Sequence, residues 1–85
     1  MTETLLEFPA EIKIKAMGLN SADFESCVSE LVVPLIETDQ YSVTTLPSKA
    51  GKYLSVRVQF VVQNQAELER VYAALHNEPR VLYTL

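Results

Sequence analysis

The chain has 85 residues, a hydrophobic fraction of 48%, a charged fraction of 21% and a formal net charge of −4. This length predicts one small domain over residues 1–85, and the negative charge argues against general nucleic-acid binding because phosphate backbones are repelled. One cysteine leaves no internal disulfide. No apolar run approaches the ~18 residues of a membrane span, and the acidic N-terminus lacks a signal peptide's basic region, so we predict a cytoplasmic protein.

Residues 10–17 are predicted to form the first strand, since apolar and polar side chains alternate along them. Gly18 ends this strand, and Asn20 or Ser21 is expected to cap the first helix, with Asp23 near the positive end of the helix dipole. Apolar residues then recur at helical spacing over residues 24–35, but Pro34 falls inside that pattern. Proline removes a helical hydrogen bond and clashes with the preceding turn, so we expect the helix to kink or stop near Val33.

The second half of the chain predicts three more strands and one more helix. Asn64 followed by Glu67 resembles a capping box at the start of that helix, and Pro79 prevents the helix from continuing. β-branched and aromatic residues, or period-two alternation, mark the strands. The predicted elements are strands at 41–46, 54–62 and 81–85, a turn at 47–52, and a helix from Asn64 to before Pro79.

The resulting order is β-α-β-β-α-β. Right-handed crossovers then lead to a ferredoxin-like α+β sandwich, in which two helices cover one face of a four-stranded antiparallel sheet. The first and third strands are central in this arrangement, and the other two lie at the edges. We treat residues 1–9 as an N-terminal extension of this single domain.

Several short motifs resemble one known family. They are Leu5-Leu6-Glu7-Phe8-Pro9, Lys15-Ala16-Met17-Gly18, Pro47-Ser48 with Gly51, Tyr53, Ser55 and Val56, Leu68-Glu69-Arg70-Val71-Tyr72, and Val81-Leu82-Tyr83-Thr84-Leu85. Their order and spacing, over essentially the whole chain, are similar to the YbeD family of small bacterial proteins, also called proposed lipoate regulatory proteins.

This resemblance implies a βαββαβ fold similar to ACT-type regulatory domains and a link to lipoate metabolism. It carries over no catalytic residues, because the family has no established biochemical activity. The chain departs from the family's pattern in the apolar segment Val32-Val33-Pro34-Leu35, where a more polar helix end is expected.

The sequence lacks the clustered ligands of a metal site, so we predict no metal and no cofactor. Cys27 and His76 each stand alone, whereas zinc needs three or four ligands at matched spacings. We interpret Cys27 as a small buried hydrophobe and His76 as a partly cationic imidazole that suits the dipole in the last turn of the second helix. Glu67, Glu69 and Arg70 are expected to form a solvated helix face.

Three groups of residues are candidates for binding. The first group is Gly18, Asn20 and Ser21, at the junction between the first strand and the first helix. A glycine at such a junction can leave backbone amides free to bind an anion, although simple turn geometry also explains its presence. The second group is Lys49, Lys52 and Tyr53 in the hairpin. These residues form either a soluble, mobile turn or a contact for an anion or a partner. The uncovered sheet face offers either a solvated surface or a contact surface with basic residues Lys13, Lys15 and Arg57.

Three functions follow from these residues. The first is a non-enzymatic regulatory or interaction module that contacts a protein partner, or a second copy, through its sheet face or an edge strand. The second is a sensor for an amino acid or an acyl or lipoate-type molecule at the first strand–helix junction. The third, an enzyme, would need a polar cluster where the inward positions are almost all aliphatic, so we predict that the protein is not an enzyme.

Overall fold

The computed structural model describes residues 7–85 and shows the predicted order of strands and helices. Residues 1–6, with the Leu5-Leu6 motif and most of the predicted N-terminal extension, lie outside the described residues. Among residues 7–85, no helix combines the length and the apolar character that crossing a membrane requires. The elements are β1 (Ala10–Leu19), α1 (Phe24–Val32), a 3-10 turn (Val33–Leu35), β2 (Tyr41–Pro47), β3 (Tyr53–Val62), α2 (Gln65–His76) and β4 (Tyr83–Thr84).

The sheet has the order β2-β3-β1-β4 with antiparallel neighbours, which confirms that the first and third strands are central. Alternate residues of β1 and β3 are buried and pack with both helices, so one sheet face is covered and the other is open. The predicted ferredoxin-like α+β sandwich is therefore confirmed. The buried core consists of Ile14, Ala16, Phe24, Val28, Val32, Ile36, Val56, Val58, Phe60, Val62, Val71 and Leu75.

Pro34 stops the first helix as predicted. α1 ends at Val32, and the chain continues as a 3-10 turn over Val33–Leu35. Proline is tolerated near the start of such a turn, because the N–H that it lacks would have no acceptor within the turn. The apolar segment that departs from the family pattern therefore closes the helix and directs Ile36 into the core.

Gly18 does not end the first strand, because β1 continues to Leu19 and Gly18 pairs with Leu54 of β3. The glycine is needed for a close approach of neighbouring groups. A Cβ atom at this position would collide with the backbone carbonyl of Arg80 and lie 2.6 Å from the ring of Phe24. Local alternation gave no sign of these two distant neighbours.

The final strand is shorter than the predicted range 81–85. The strand itself covers Tyr83–Thr84, while backbone hydrogen bonds to β1 extend on either side, at Leu82 and Leu85. The N–H of Val81 still donates to the carbonyl of Glu78 at 3.0 Å, so the turn that follows α2 extends into the predicted strand.

The prediction that Glu67 lies on a solvated helix face is wrong, because its side chain is fully buried. Its carboxylate accepts hydrogen bonds from the backbone N–H of Glu37 at 2.7 Å and of Gln63 at 2.6 Å. Asn64 is the N-cap of α2, and its side-chain oxygen accepts from the N–H of Glu67 at 2.8 Å. The Asn64 half of the predicted capping box is thus confirmed, while the Glu67 side chain bonds two other amides.

Candidate interaction surface

The sheet face opposite the helices is the surface on which most of the predicted partner-contact residues meet. We call it the open face. The register places the following residues on it: Glu11, Lys13, Lys15, Met17 and Leu19 from β1; Ser42, Thr44 and Leu46 from β2; Tyr53, Ser55, Arg57, Gln59 and Val61 from β3; and Tyr83 and Leu85 at the β4 edge.

Positive charge is concentrated at the centre of the open face. Lys15 and Arg57 are directly opposite each other on neighbouring strands, and Lys13 lies one pleat further along, opposite Gln59. Two like charges at directly opposite positions repel each other, so a negatively charged ligand bound between them would relieve this repulsion. The sequence prediction that these three cations share one face is confirmed; their use in binding stays a prediction.

A shallow depression lies between these cations and β2. It has a volume of about 240 Å³, and Lys15, Thr44, Leu46, Ser55 and Arg57 line it. Ser55 is buried at its floor with 8% of its surface exposed. Cationic groups above a hydroxyl-lined floor can donate hydrogen bonds to a carboxylate, so this depression suits an acidic side chain.

The acid on this face, Glu11, bonds a neutral side chain rather than one of the central cations. Its carboxylate accepts a hydrogen bond of 2.6 Å from the side-chain amide of Gln59. Among the described residues, the ion pairs of the protein join Arg70 to Glu37 and Arg80 to Asp23, and neither pair lies on the open face. The central cations therefore keep their donors available to an external group.

The rim of the open face is more apolar than the sequence predicted. Leu46 and Leu85 expose 66% and 64% of their surfaces, and Leu19, Tyr83 and Val61 are also exposed. Sequence reasoning treated this face as polar and flat, because it considered mainly the central positions of β1 and β3. Leu46 lies two residues after Thr44 and therefore on the same face of β2, and this spacing is a signal that could have revealed the rim.

The hairpin residues hold an ordered turn beside the open face. Gly51 has a φ of 79°, a conformation that favours glycine, and its N–H donates to the Ser48 carbonyl at 2.8 Å. The ammonium of Lys52 lies 5.4 Å from the centre of the Tyr53 ring, which is a cation–π contact. Lys49 is exposed. Because the Gly51 amide is already bonded, an anion would meet the lysine side chains; their role stays a prediction.

The strand–helix junction is occupied by internal hydrogen bonds. The backbone N–H of Asn20 donates to the Lys52 carbonyl at 2.9 Å, and its side-chain amide donates to the Gly51 carbonyl at 3.0 Å. Ser21 accepts a hydrogen bond of 2.7 Å from the Arg80 guanidinium. With Gly18 buried against its neighbours, the three predicted ligand-binding residues serve the fold, and ligand binding there stays a prediction.

The N-cap of α1 is Asp23, so the prediction that Asn20 or Ser21 caps this helix is wrong. An ion pair joins Asp23 to the turn before β4. The Arg80 guanidinium donates to the Asp23 carboxylate at 2.7 Å and lies 5.8 Å from the centre of the Phe24 ring. This hydrogen bond, with the positive charge of Arg80, holds the pKa of the Asp23 carboxyl below its ordinary value. Sequence reasoning missed Arg80, since nothing local links it to the first helix.

The environments of Cys27 and His76 indicate structural roles for both residues. Cys27 is half-buried, not fully buried as predicted. This partial burial raises the pKa of the thiol, and the nearby Glu78 carboxylate adds to the effect, so the reactive thiolate is disfavoured. His76 lies in the last turn of α2, and its Nε2 is 3.1 Å from the Thr84 hydroxyl. Within residues 7–85, no three His, Cys, Asp or Glu side chains are grouped to hold a metal ion.

Comparisons with known proteins cover nearly the whole chain. A UPF0250 protein of Neisseria gonorrhoeae is 36% identical over 83 residues, which are 96% of this chain and 91% of the relative. A UPF0250 protein of Janthinobacterium sp. is 36% identical over 87 residues, covering 99% of this chain and 93% of the relative. The solution structure of protein HP0495 from H. pylori matches with a TM-score of 0.77 at 19% identity, covering 98% of this chain and 88% of that one, and supports the fold.

The family assignment agrees with the motifs found in the sequence. Residues 3–85 match the family described as "Protein of unknown function (DUF493)". The similarity to these UPF0250 proteins covers 96% and 99% of the chain, and the predicted YbeD-like resemblance is confirmed. The chain therefore belongs to the DUF493 family.

Proposed function

We propose that this protein is a non-enzymatic interaction module that binds an acidic surface of a partner protein through its open face. The observation that carries the proposal is the direct opposition of Lys15 and Arg57 at the centre of that face. The chain as a whole is acidic, with a net charge of −4, whereas Lys13, Lys15 and Arg57 are grouped on the open face. Such segregation steers a partner of opposite charge onto the basic side.

The apolar rim supports a protein as the partner. Protein interfaces combine aromatic, aliphatic and arginine side chains in the desolvated centre of the contact. Arg57, Leu46 and Tyr83 give the open face this composition. A partner that places a carboxylate between Lys15 and Arg57 would cover the neighbouring apolar groups at the same time.

Charge also argues against two copies that stack open face to open face. A two-fold axis through the centre of such a contact would bring Lys15 and Arg57 of one copy onto the same cations of the other. Like charges in close opposition across an interface cost several kcal/mol. A partner with acidic groups avoids this cost and gains hydrogen bonds, so it fits the surface better.

The covered side of the sheet supports a role in binding rather than in catalysis. The strand residues that face the helices are aliphatic or aromatic, as at Ile14, Val56, Val58 and Phe60. The buried carboxylate of Glu67 bonds two backbone amides and stabilises the loop before β2. These contacts give the open face a rigid support, which lowers the entropy lost on binding.

Site-specific photo-crosslinking tests the proposal. A photoreactive residue at Thr44, beside Arg57, should capture a partner from the source organism, whereas the same residue at the exposed Glu69 of α2 should not. The purified partner is then titrated against the wild-type protein and the Lys15→Glu/Arg57→Glu variant. We expect the variant to raise Kd by about tenfold or more, and salt to weaken wild-type binding.

The matched control is Glu69→Lys, which reverses a charge on the helix face and should leave Kd unchanged. Equal affinity of the Lys15→Glu/Arg57→Glu variant and the wild type would refute the proposal. So would a partner that is captured only from position 69.

A hollow beside the strand–helix junction favours the sensor as a second candidate. It has a volume of about 300 Å³ and is lined by Leu19, Ser21, Asp23, Arg80 and Leu82. Its size is at the lower limit of small-molecule sites. Leu19 and Leu82 give it apolar walls, and the Arg80 guanidinium, which already bonds Asp23 and Ser21 through one nitrogen, has further N–H donors for a short acyl carboxylate. Thermal-shift measurements with octanoate, lipoate and amino acids test it. Stabilisation by an acyl acid that Arg80→Ala abolishes would support this role, and no stabilisation would exclude these ligands.

A further inference from the structure

Residues 7–85 cover only part of the outer edge of β1. β1 has ten residues, but its pairing with the β4 edge involves residues near its C-terminal end. Lys15 and Leu85 exchange backbone hydrogen bonds of 3.1 and 2.9 Å, and the N–H of Leu82 donates to the Met17 carbonyl at 2.7 Å. Of residues 7–85, none pairs with the preceding half of this edge, Ala10–Ile14, which we call the outer segment.

The direction of the free backbone groups follows from these bonds. Backbone groups of successive strand residues point to alternate edges. Since Lys15 and Met17 bond towards β4, the N–H and C=O groups of Glu11 and Lys13 also point outwards. Ile12 and Ile14 point towards β3, so the outer segment offers donors and acceptors at two positions.

We infer that two copies of this protein pair antiparallel through their outer segments, about a two-fold axis at Ile12. In this register Glu11 of each copy lies opposite Lys13 of the other, and both residues of each pair have the outward groups that form backbone hydrogen bonds. The side chains of these pairs carry opposite charges, and cross-strand pairs of opposite charge are stabilising. The segment is thus complementary to itself in hydrogen bonding and in charge.

The two neighbouring registers are disfavoured. An axis at Lys13 opposes the two Lys13 ammonium groups and needs backbone groups of Lys15 that Leu85 already holds. An axis at Glu11 opposes the two Glu11 carboxylates and pairs Lys13 with Pro9, which has no N–H to donate. The Ile12 register alone satisfies all the outward groups of the outer segment.

The pairing also covers apolar surface on the helix side. Ile12 and Ala10 are partly buried and pack on the core, next to the edge that a second copy would cover. In the Ile12 register the two Ile12 side chains face each other across the new strand pair, and Ala10 faces Ile14 of the other copy. The two sheets become one, with both open faces on the same side. This inference does not rest on the proposed binding of an acidic partner.

The contact involves five residues of each chain, so we expect a weak, concentration-dependent dimer. Sedimentation equilibrium of the full chain up to millimolar concentration measures it. Glu11→Lys and Lys13→Glu each oppose like charges in both pairs and should raise the dimer Kd by about tenfold or more. The double variant Glu11→Lys/Lys13→Glu restores opposite charges and should restore the dimer.

Arg57→Glu is the matched control, since it reverses a charge on the open face away from the outer segment. It should leave the dimer unchanged while it weakens capture of an acidic partner, so the two ideas fail separately. A monomer at all concentrations overturns the inference, as does a dimer that both single reversals leave intact or that the double variant fails to restore. Thermal unfolding confirms that each variant is folded.

Cross-linking tests the register directly. Residues opposite each other at a non-hydrogen-bonded position have Cα atoms about 4.5 Å apart, which permits a disulfide. In a Cys27→Ser background, Ile12→Cys should form an intermolecular disulfide with oxidised glutathione faster than Arg57→Cys does. Equal rates at the two positions would overturn the register.

Discussion

The buried carboxylate of Glu67 should be one of the most sensitive positions for stability. Its two oxygens accept from the amides of Glu37 and Gln63 at 2.7 and 2.6 Å, and no part of the residue is exposed. In Glu67→Gln the shape is preserved, but one amide N–H must face the new NH₂ group. A buried donor without an acceptor costs about 1–3 kcal/mol, and bonds to a charged acceptor are stronger than neutral ones. We therefore expect Glu67→Gln to lower the free energy of unfolding by about 2–4 kcal/mol.

Urea denaturation at neutral pH, followed by circular dichroism, measures this loss. In a domain of this size about 1 kcal/mol corresponds to about 4–8 °C in Tm, so the variant should also melt at a clearly lower temperature. Glu69→Gln is the matched control, because it makes the same substitution on the exposed side of α2. It should change the free energy of unfolding by less than about 0.5 kcal/mol. A Glu67→Gln variant as stable as this control would refute the reasoning.

Three further predictions concern the junction between β1 and α1. Gly18→Ala should reduce the free energy of unfolding in urea by about 1–3 kcal/mol, because the new methyl group collides with the Arg80 carbonyl and the Phe24 ring. Arg80→Gln should raise the pKa of Asp23, measured by NMR titration. The depressed pKa means that the stabilisation by this pair is present at neutral pH and lost as the pH falls through the folded-state value. Cys27 should react more slowly with iodoacetamide in the folded than in the unfolded chain, because its pKa is raised.

The local sequence predicted those parts of the fold that depend on periodicity and on backbone chemistry. Alternation over residues 10–17 and 54–62 identified both central strands, and Pro34 marked the end of α1. These signals work because one buried face imposes a period on the chain, and because proline acts within one helical turn. The three central cations were also placed correctly on one face by alternation alone.

The features that were missed arise from contacts between distant parts of the chain. A glutamate in the first turn of a helix is usually exposed, and only the approach of the Glu37 amide explains why Glu67 is buried. The local pattern predicts that Gly18 ends the strand, whereas the Arg80 carbonyl and the Phe24 ring determine its role. Neither partner is visible from neighbouring residues, so a reading based on local pattern assigned the commoner, solvated role.

The two inferred contacts use different physical properties of the same sheet. The open face concentrates charge of one sign and therefore selects a partner of the other sign. The outer segment alternates Glu11 and Lys13, so it is complementary to itself and selects a second copy. Because pairing at the edge leaves the open face uncovered, a dimer would present two basic faces side by side. An acidic partner with two binding sites would then gain from both at once, provided that its geometry allows simultaneous contact.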